Sequence, residues 1–236
     1  MTEEPYRWLE AMGNRREYVL NQVKGGSPVF AVSLEAGVLL LGVGSGQSKV
    51  FEIFDRHALA GLGHPADLER VRQMLIDAAH LEAFTRAPED VTLRRLVSFN
   101  LSPQIKTVFE QLFAPPFLVR LLLSELGATR DRDSLIKVQF DGTYSLAARG
   151  LAVVAADPAD EAAVEDWLTR HLPATTEPGL AIDTLLLAWR HLAHGDELPE
   201  GELPTAKPDL AGLEIEAALL RRSTMRVARF ETIPAR

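Results

Sequence analysis

Cysteine is absent from the 236-residue chain. That absence removes disulfide bonds, thiol catalysis and cysteine-ligated metal centres together, and it fits a reducing compartment. Positive charge is also scarce. Twenty-five Lys and Arg stand against 33 Asp and Glu, a formal net charge of −8, which argues against a phosphate-binding surface and a nucleic-acid partner. Long hydrophobic runs are missing too: GVLLLGV and FLVRLLL are far too short to cross a bilayer. The first stretch, MTEEPYRWLEAMGNRREY, is acidic and then amphipathic, without the apolar centre of a secretory signal. No GxSxG or SxxK pattern occurs. GVGSGQS looks like a phosphate loop, but such a loop must lead into a helix N-terminus, and here the strand-like KVFEIFD follows. A soluble cytoplasmic protein without membrane contacts or cofactor is the expectation.

What is present is ordinary for a globular protein: 47% hydrophobic and 25% charged residues. Residues 5–24 carry Trp8, Leu9, Met12, Tyr18, Val19 and Val23 at helical spacing and stop at Gly25-Gly26. Strands are expected at 28–34, 38–43, 48–55 and 57–63. The period then changes. Leu68, Val71, Leu75, Ala78 and Ala79 mark a helix face from Pro65, with Asp67 and Glu69 in its first turn. A second helical stretch runs from Glu89 to Phe113, with a kink or break at Pro103. FLVRLLLSE, SLIKVQFDG and YSLAARGLAVVA read as three strands, the last two joined by an Asp141-Gly142 turn. Helices follow at Glu161–Leu172 and Leu180–His194, then a proline-rich loop and a final hairpin in GLEIEAALLRRSTMRVARFE. Strands do not alternate with helices, so a parallel doubly wound sheet is excluded. Antiparallel sheets with helix layers outside are expected, in a single α+β domain spanning 1–236.

Two polar groupings have plain readings. His191 and His194 stand three apart on a helix, but no suitable carboxylate accompanies them except Asp196 past the helix end, so no metal site is expected. The pairs Arg15-Arg16, Arg94-Arg95 and Arg221-Arg222 lie among acids and read as solvated faces or subunit salt bridges.

The stretch KGGSPVFAVSLEAGVLLLGV, 24–43, poses the functional question. Ser27 opens a hairpin where a freed Ser, Thr or Cys can act as an N-terminal nucleophile. Such chemistry needs the residue's own α-amino group, with a Lys and an Asp to complete the activation.

The run SKVFEIFDRHALAGLGHPADLERVRQ, continuing through FTRAPEDVTLRRL, resembles the proteasome α-subunit family, its bacterial members especially. The similar features are Lys49 opening a strand, Phe54-Asp55 ending it, the small-residue strand Ala58–Gly63, Asp67 in the next helix, Asp90-Val91 with Leu96, and FDGTY at 140–144. With the N-terminal helix and the last hairpin, the resemblance covers nearly the whole chain. It implies a four-layer αββα sandwich of the N-terminal-nucleophile hydrolase type, preceded by an extra helix that residues 5–24 match. It further implies a seven-membered α ring that caps β-subunit rings, restricts the entry of protein substrates, templates β-ring assembly and docks a ring ATPase or other activator. In register with the family, the nucleophile position falls on Ser27, the acid position on or near Val43, and the lysine position in 44–47, where no lysine stands. The chain is therefore expected to be non-catalytic. Lys49 falls on the family's docking lysine, which receives the C-terminal carboxylate of activators, with Gly26, Gly63 and His64 lining the same pocket. His64 departs from the commoner apolar residue, and Ala156-Asp157-Pro158 replaces a Gly-rich loop with a helix cap. Tyr6-Arg7 is the nearest remnant of the archaeal gate signature, which leaves Met1–Pro5 as the expected gate. Thr2 would be bared by Met removal but precedes a helix and lies far from the first strand. Self-cleavage at Gly26–Ser27 to give a peptidase, and a free-standing ring without β partners, are the alternatives.

Overall fold

A computed structural model describes residues 4–201, 203, 210, 212–224 and 228–234. The chain enters through α1 (Glu4–Val23). Four strands follow: β1 (Val29–Leu34), β2 (Gly37–Gly44), β3 (Val50–Phe54) and β4 (His57–Gly63). Next come α2 (Pro65–Thr85), the short turn α3 (Leu93–Arg95) and α4 (Ser102–Glu110). Strands β5 (Val119–Glu125), β6 (Ser134–Val138), β7 (Tyr144–Leu146) and β8 (Leu151–Val154) lead to α5 (Glu161–His171) and α6 (Pro178–His194). The described chain closes on β9 (Glu214–Arg221) and β10 (Phe230–Ile233).

The strands form two five-stranded antiparallel sheets, ordered β10-β9-β2-β1-β8 and β3-β4-β5-β6-β7. Side chains alternate across each strand, and both faces of these sheets are covered. In β1, Val29 and Ala31 join the core between the sheets, while Phe30 and Val32 pack beneath α5 and α6. Leu59 and Leu121 likewise face away from the first sheet, against Leu68, Val71 and Leu75 of α2. That double burial is why the central strands read as unbroken apolar runs. The layers are α5/α6, sheet, sheet, α2/α4: the expected αββα sandwich.

The inter-sheet layer also buries charge. Arg120 of β5 is 0% exposed. Its guanidinium donates to Gln139 Oε1 at 2.9 Å, to the Ala155 carbonyl and to Glu161 Oε1 at 2.7 Å. Lys137 of β6 joins Glu161 Oε2 at 2.8 Å and Glu165 Oε1 at 2.9 Å. The same carboxylates accept the Val153 and Ala155 amides along the outer edge of β8, which removes bare donors from a sheet edge. Two cations from one sheet and two anions from α5 thus tie the sheets together.

Three expectations need correcting. YSLAARGLAVVA is two strands, not one. β7 pairs with β6 and β8 with β1, in different sheets, because Arg149 and Gly150 turn left-handed at φ 60° and 64° and carry the chain across. The stretch 89–113 is not one helix. A 3-10 turn at Pro88–Asp90 stands apart, and helical backbone then runs from Leu93 through a π-helical segment at Leu96–Leu101 into α4, the wider π turn falling just before Pro103, whose ring and missing N–H would disrupt a regular α-helix there. At least one member of each arginine pair bonds within the chain. Arg15 donates to the Val108 and Ala114 carbonyls at 3.1 and 2.5 Å, Arg16 pairs with Asp141 at 2.6 Å, Arg95 with Glu82, and Arg222 with Asp133 at 2.7 Å.

The turn and cap expectations hold. Gly142 turns at φ 82° between β6 and β7, and Asp157 caps the following turn through its bond from the Ala159 amide at 2.9 Å. His191 is held by the Asp196 carbonyl at 2.6 Å and His194 lies edge-on to Trp189. Among the described residues no group of three potential metal ligands occurs, and no helix is long and apolar enough to cross a membrane.

Candidate functional site at the mouth of the sandwich

The chain leaves α1 through Gly25 and Gly26 and reaches Ser27 just before β1. Gly26 closes the helix with its amide on the Val23 carbonyl at 2.8 Å. It also abuts Leu62 of β4 so tightly that a Cβ would lie 2.9 Å from Leu62 Cδ1. Ser27 is half-buried and held from two sides. Its hydroxyl oxygen accepts the indole N–H of Trp189, on α6, at 2.8 Å. Its carbonyl oxygen faces the Lys49 ammonium at 3.4 Å.

Lys49 reaches that position over a bed of glycine. Gly42 and Gly44 point to the inner side of β2, and a Cβ there would come within 3.3 Å of Lys49 Cβ and 3.0 Å of Lys49 Cε respectively. The stem is pinned at its backbone: the Lys49 amide donates to Glu216 Oε2 at 2.5 Å and its carbonyl accepts the Gly61 amide at 3.0 Å. Burial lowers the ammonium's pKa from its ordinary value, and the Glu216 charge opposes that shift. Among the described residues the long contact to Ser27 is the ammonium's one hydrogen bond, although an ammonium carries three donors.

Gly63 and His64 follow Leu62 at the rim. Gly63 is held at φ 132°, where any side chain would collide with the Leu118 carbonyl. His64 is exposed. Its Nδ1 accepts the Ala66 amide at 3.3 Å and its own amide donates to the Leu118 carbonyl at 2.8 Å, so its ring serves as the N-cap of α2. Asp67 completes that corner by accepting the Leu118 amide at 3.0 Å.

The fold thus brings Gly26, Ser27 and Lys49 together beside the end of β4. It does not bring Val43 to them. Val43 is 0% exposed and packs in the core beneath α5 and α6, on the opposite face of β2 from Lys49. Thr2 and 1–3 as a whole lie outside the described residues, and Glu4 and Pro5 open α1. Two contributors escaped the sequence reading, Trp189 and Glu216. Trp189 carried no signal beyond its helical spacing. Glu216 carried a partial one: Glu214 and Glu216 alternate on a strand whose next residues on that face, Ala218 and Leu220, are core.

As chemistry, the arrangement suits an anion better than an acyl transfer. The hydroxyl of Ser27 is engaged by an indole that cannot take a proton, the amine faces its carbonyl rather than its oxygen nucleophile, and no carboxylate stands at the acid position. A cavity of about 1050 Å³ lies elsewhere, between the α6 N-terminus and β9–β10, lined by Ile182, Ile215 and Ile233 on the helix-facing side.

No protein-family model matches the chain. Curated relatives do, and over nearly its full length. The proteasome subunit alpha of Paenarthrobacter aurescens is 31% identical over 230 residues, covering 95% of this chain and 89% of that protein. That of Pseudarthrobacter chlorophenolicus is 32% identical over 235 residues, 96% and 92% respectively. This chain belongs to the proteasome α-subunit family. A Streptomyces avermitilis member is also similar, at 24% over 230 residues. Membership accounts for the sandwich and for the extra helix before β1, and proteasome α subunits are the non-catalytic subunits, catalysis residing in the β subunits.

Proposed function

We propose that the chain, acting throughout as one α-type unit, is the outer-ring subunit of a cytoplasmic proteasome core particle. Seven copies close a ring that stacks on β subunits, templates their assembly, restricts entry of protein substrates and docks a ring ATPase or other activator. The observation that carries the assembly is the family itself, whose members bear the name of a proteasome subunit. Helix α1 fits the ring-building part. Arg15 and Arg16 fasten it to the sandwich, while Trp8, Leu9 and Tyr18 stand 45%, 66% and 50% exposed on more than one side of the helix, apolar surface available to a neighbouring subunit.

The observation that carries activator docking is the Lys49 ammonium, half-buried, rigidly based and short of partners. An activator's C-terminal carboxylate would satisfy it through a charge-assisted bond, with Gly26, Gly63 and His64 at the rim.

Native mass spectrometry of the chain alone and with a co-expressed β subunit tests the assembly, and monomers under both conditions defeat it. Lys49→Ala should abolish activator-stimulated degradation and leave ring assembly intact; stimulation that survives refutes the docking site. Under denaturing conditions the intact mass is expected, and a species beginning at Ser27 would favour a self-processing peptidase instead.

A further inference from the structure

The Lys49 site is not simply cationic. Strand β9 alternates, and Glu214 and Glu216 fall on the inner face that Ala218 and Leu220 continue into the core. In the β2–β9 register Gly42 lies opposite Glu216 and Gly44 opposite Glu214. Those are the two glycines that carry the Lys49 stem. One ammonium and two carboxylates therefore share a patch two strand positions long, about 7 Å. Glu216 fixes the Lys49 backbone through Oε2. Its other oxygen and the exposed Glu214 carboxylate make no hydrogen bond among the described residues.

We infer that this mouth selects a C-terminal tail bearing a basic side chain close to its terminal carboxylate. The inference rests on Lys49 as the docking lysine and adds the chemistry of the tail. The terminal carboxylate meets Lys49, and a Lys or Arg one or two residues upstream meets Glu216 and Glu214. A tail with a carboxylate alone gains the ammonium but approaches two like charges. An acidic tail meets repulsion on both sides, and the exclusion is a specificity device as much as the attraction is. A metal ion is a poor occupant, because the ammonium stands beside the two carboxylates.

The test is fluorescence anisotropy of the full-length chain at low salt with labelled tetrapeptides Ala-X-Ala-Leu, where X is Lys, Gln or Glu, each with a free or an amidated C-terminus. The expected order is Lys, then Gln, then Glu, each step changing affinity about three- to tenfold for charges a few ångströms apart near the surface. In Glu214→Gln/Glu216→Gln the three peptides should bind alike while the free acid still exceeds the amide. Equal binding of the three peptides by the wild type, or a lysine preference that survives in the double variant, overturns the inference and leaves Lys49 docking standing. Equal binding of acid and amide overturns the docking reading itself, and no binding of any peptide overturns both.

Discussion

Glu161 offers the sharpest test of how the sandwich holds together. Its carboxylate accepts from Arg120 at 2.7 Å, from Lys137 at 2.8 Å and from the Ala155 amide at 3.1 Å. Arg120 is wholly buried, and Glu161 is its one carboxylate partner among the described residues. Truncation in Glu161→Ala leaves an arginine charge in the core between the sheets, and uncompensated buried charges of this kind destabilise by about 3–5 kcal/mol. For a chain of this length that lowers Tm by roughly 6–20 °C. Thermal unfolding followed by circular dichroism, with urea titration for the free energy, gives both numbers. Lys137 sets the pH window. Burial alone would lower its pKa, but the bonds and charges of Glu161 and Glu165 outweigh that and raise it. A raised lysine contributes fully below its unfolded value, about 10.4, and loses that contribution only as pH climbs through the folded one. The deficit of Glu161→Ala should therefore stay level from pH 6 to 9. The decisive control is Arg120→Met in the Glu161→Ala background, which removes the orphaned charge and should recover a large share of the loss. A single-variant loss below about 1 kcal/mol, or a double variant as weak as the sum of its parts, would refute the reasoning.

Three further outcomes follow from the same geometry. Asp141 has a lowered pKa: burial works against this, but two bonds from Thr143 and the Arg16 charge outweigh it. Such a carboxylate stabilises above its unfolded value of about 3.9 and loses that contribution as pH falls through the lower folded value. Urea midpoints of Asp141→Asn should consequently vary less than wild type between pH 4 and 2, and parallel curves would contradict this. Gly63→Ala should cost at least about 2 kcal/mol, since a positive φ and a collision with the Leu118 carbonyl coincide; a neutral variant would show that the β4–α2 corner gives way. Trp189→Phe drops the bond to Ser27 and shrinks a buried bicyclic ring to a phenyl, for a loss of about 2–3 kcal/mol in urea unfolding; a loss below about 0.5 kcal/mol would show that neither the bond nor the packing holds this corner.

The legible parts of the fold were those where one local rule decided the structure. β1, β2, β4 and β5 announced themselves because helix layers cover both outer faces, and α2 because its apolar stripe follows an acidic first turn. The split between β7 and β8 was hidden, since both halves are strand-like and only the left-handed pair Arg149-Gly150 separates them. The π-helical segment before α4 had no sequence mark beyond Pro103. At the site, Lys49, Gly26 and Ser27 were found through family register, and the fold brings them together. The Trp189–Ser27 and Glu216–Lys49 bonds join residues 162 and 167 positions apart, and the strand order that makes them neighbours is a tertiary fact with no local trace. Val43 shows the converse. A one-residue step along β2 turns a side chain from the sheet interface to the helix layer, so a position near the acid site in sequence faces away from it in space.

The fastening of α1 bears on how this subunit would behave if its chain were cut. Arg15 grips the carbonyls of Val108 and Ala114, Arg16 grips Asp141, and Val19 and Val23 are buried in the inter-sheet core. None of these attachments runs through Gly26. A nick in the glycine linker would leave the helix in place as a non-covalently bound fragment, and its exposed apolar side chains would keep their positions. Proteolysis there would be invisible by size exclusion and would appear only once the protein was unfolded.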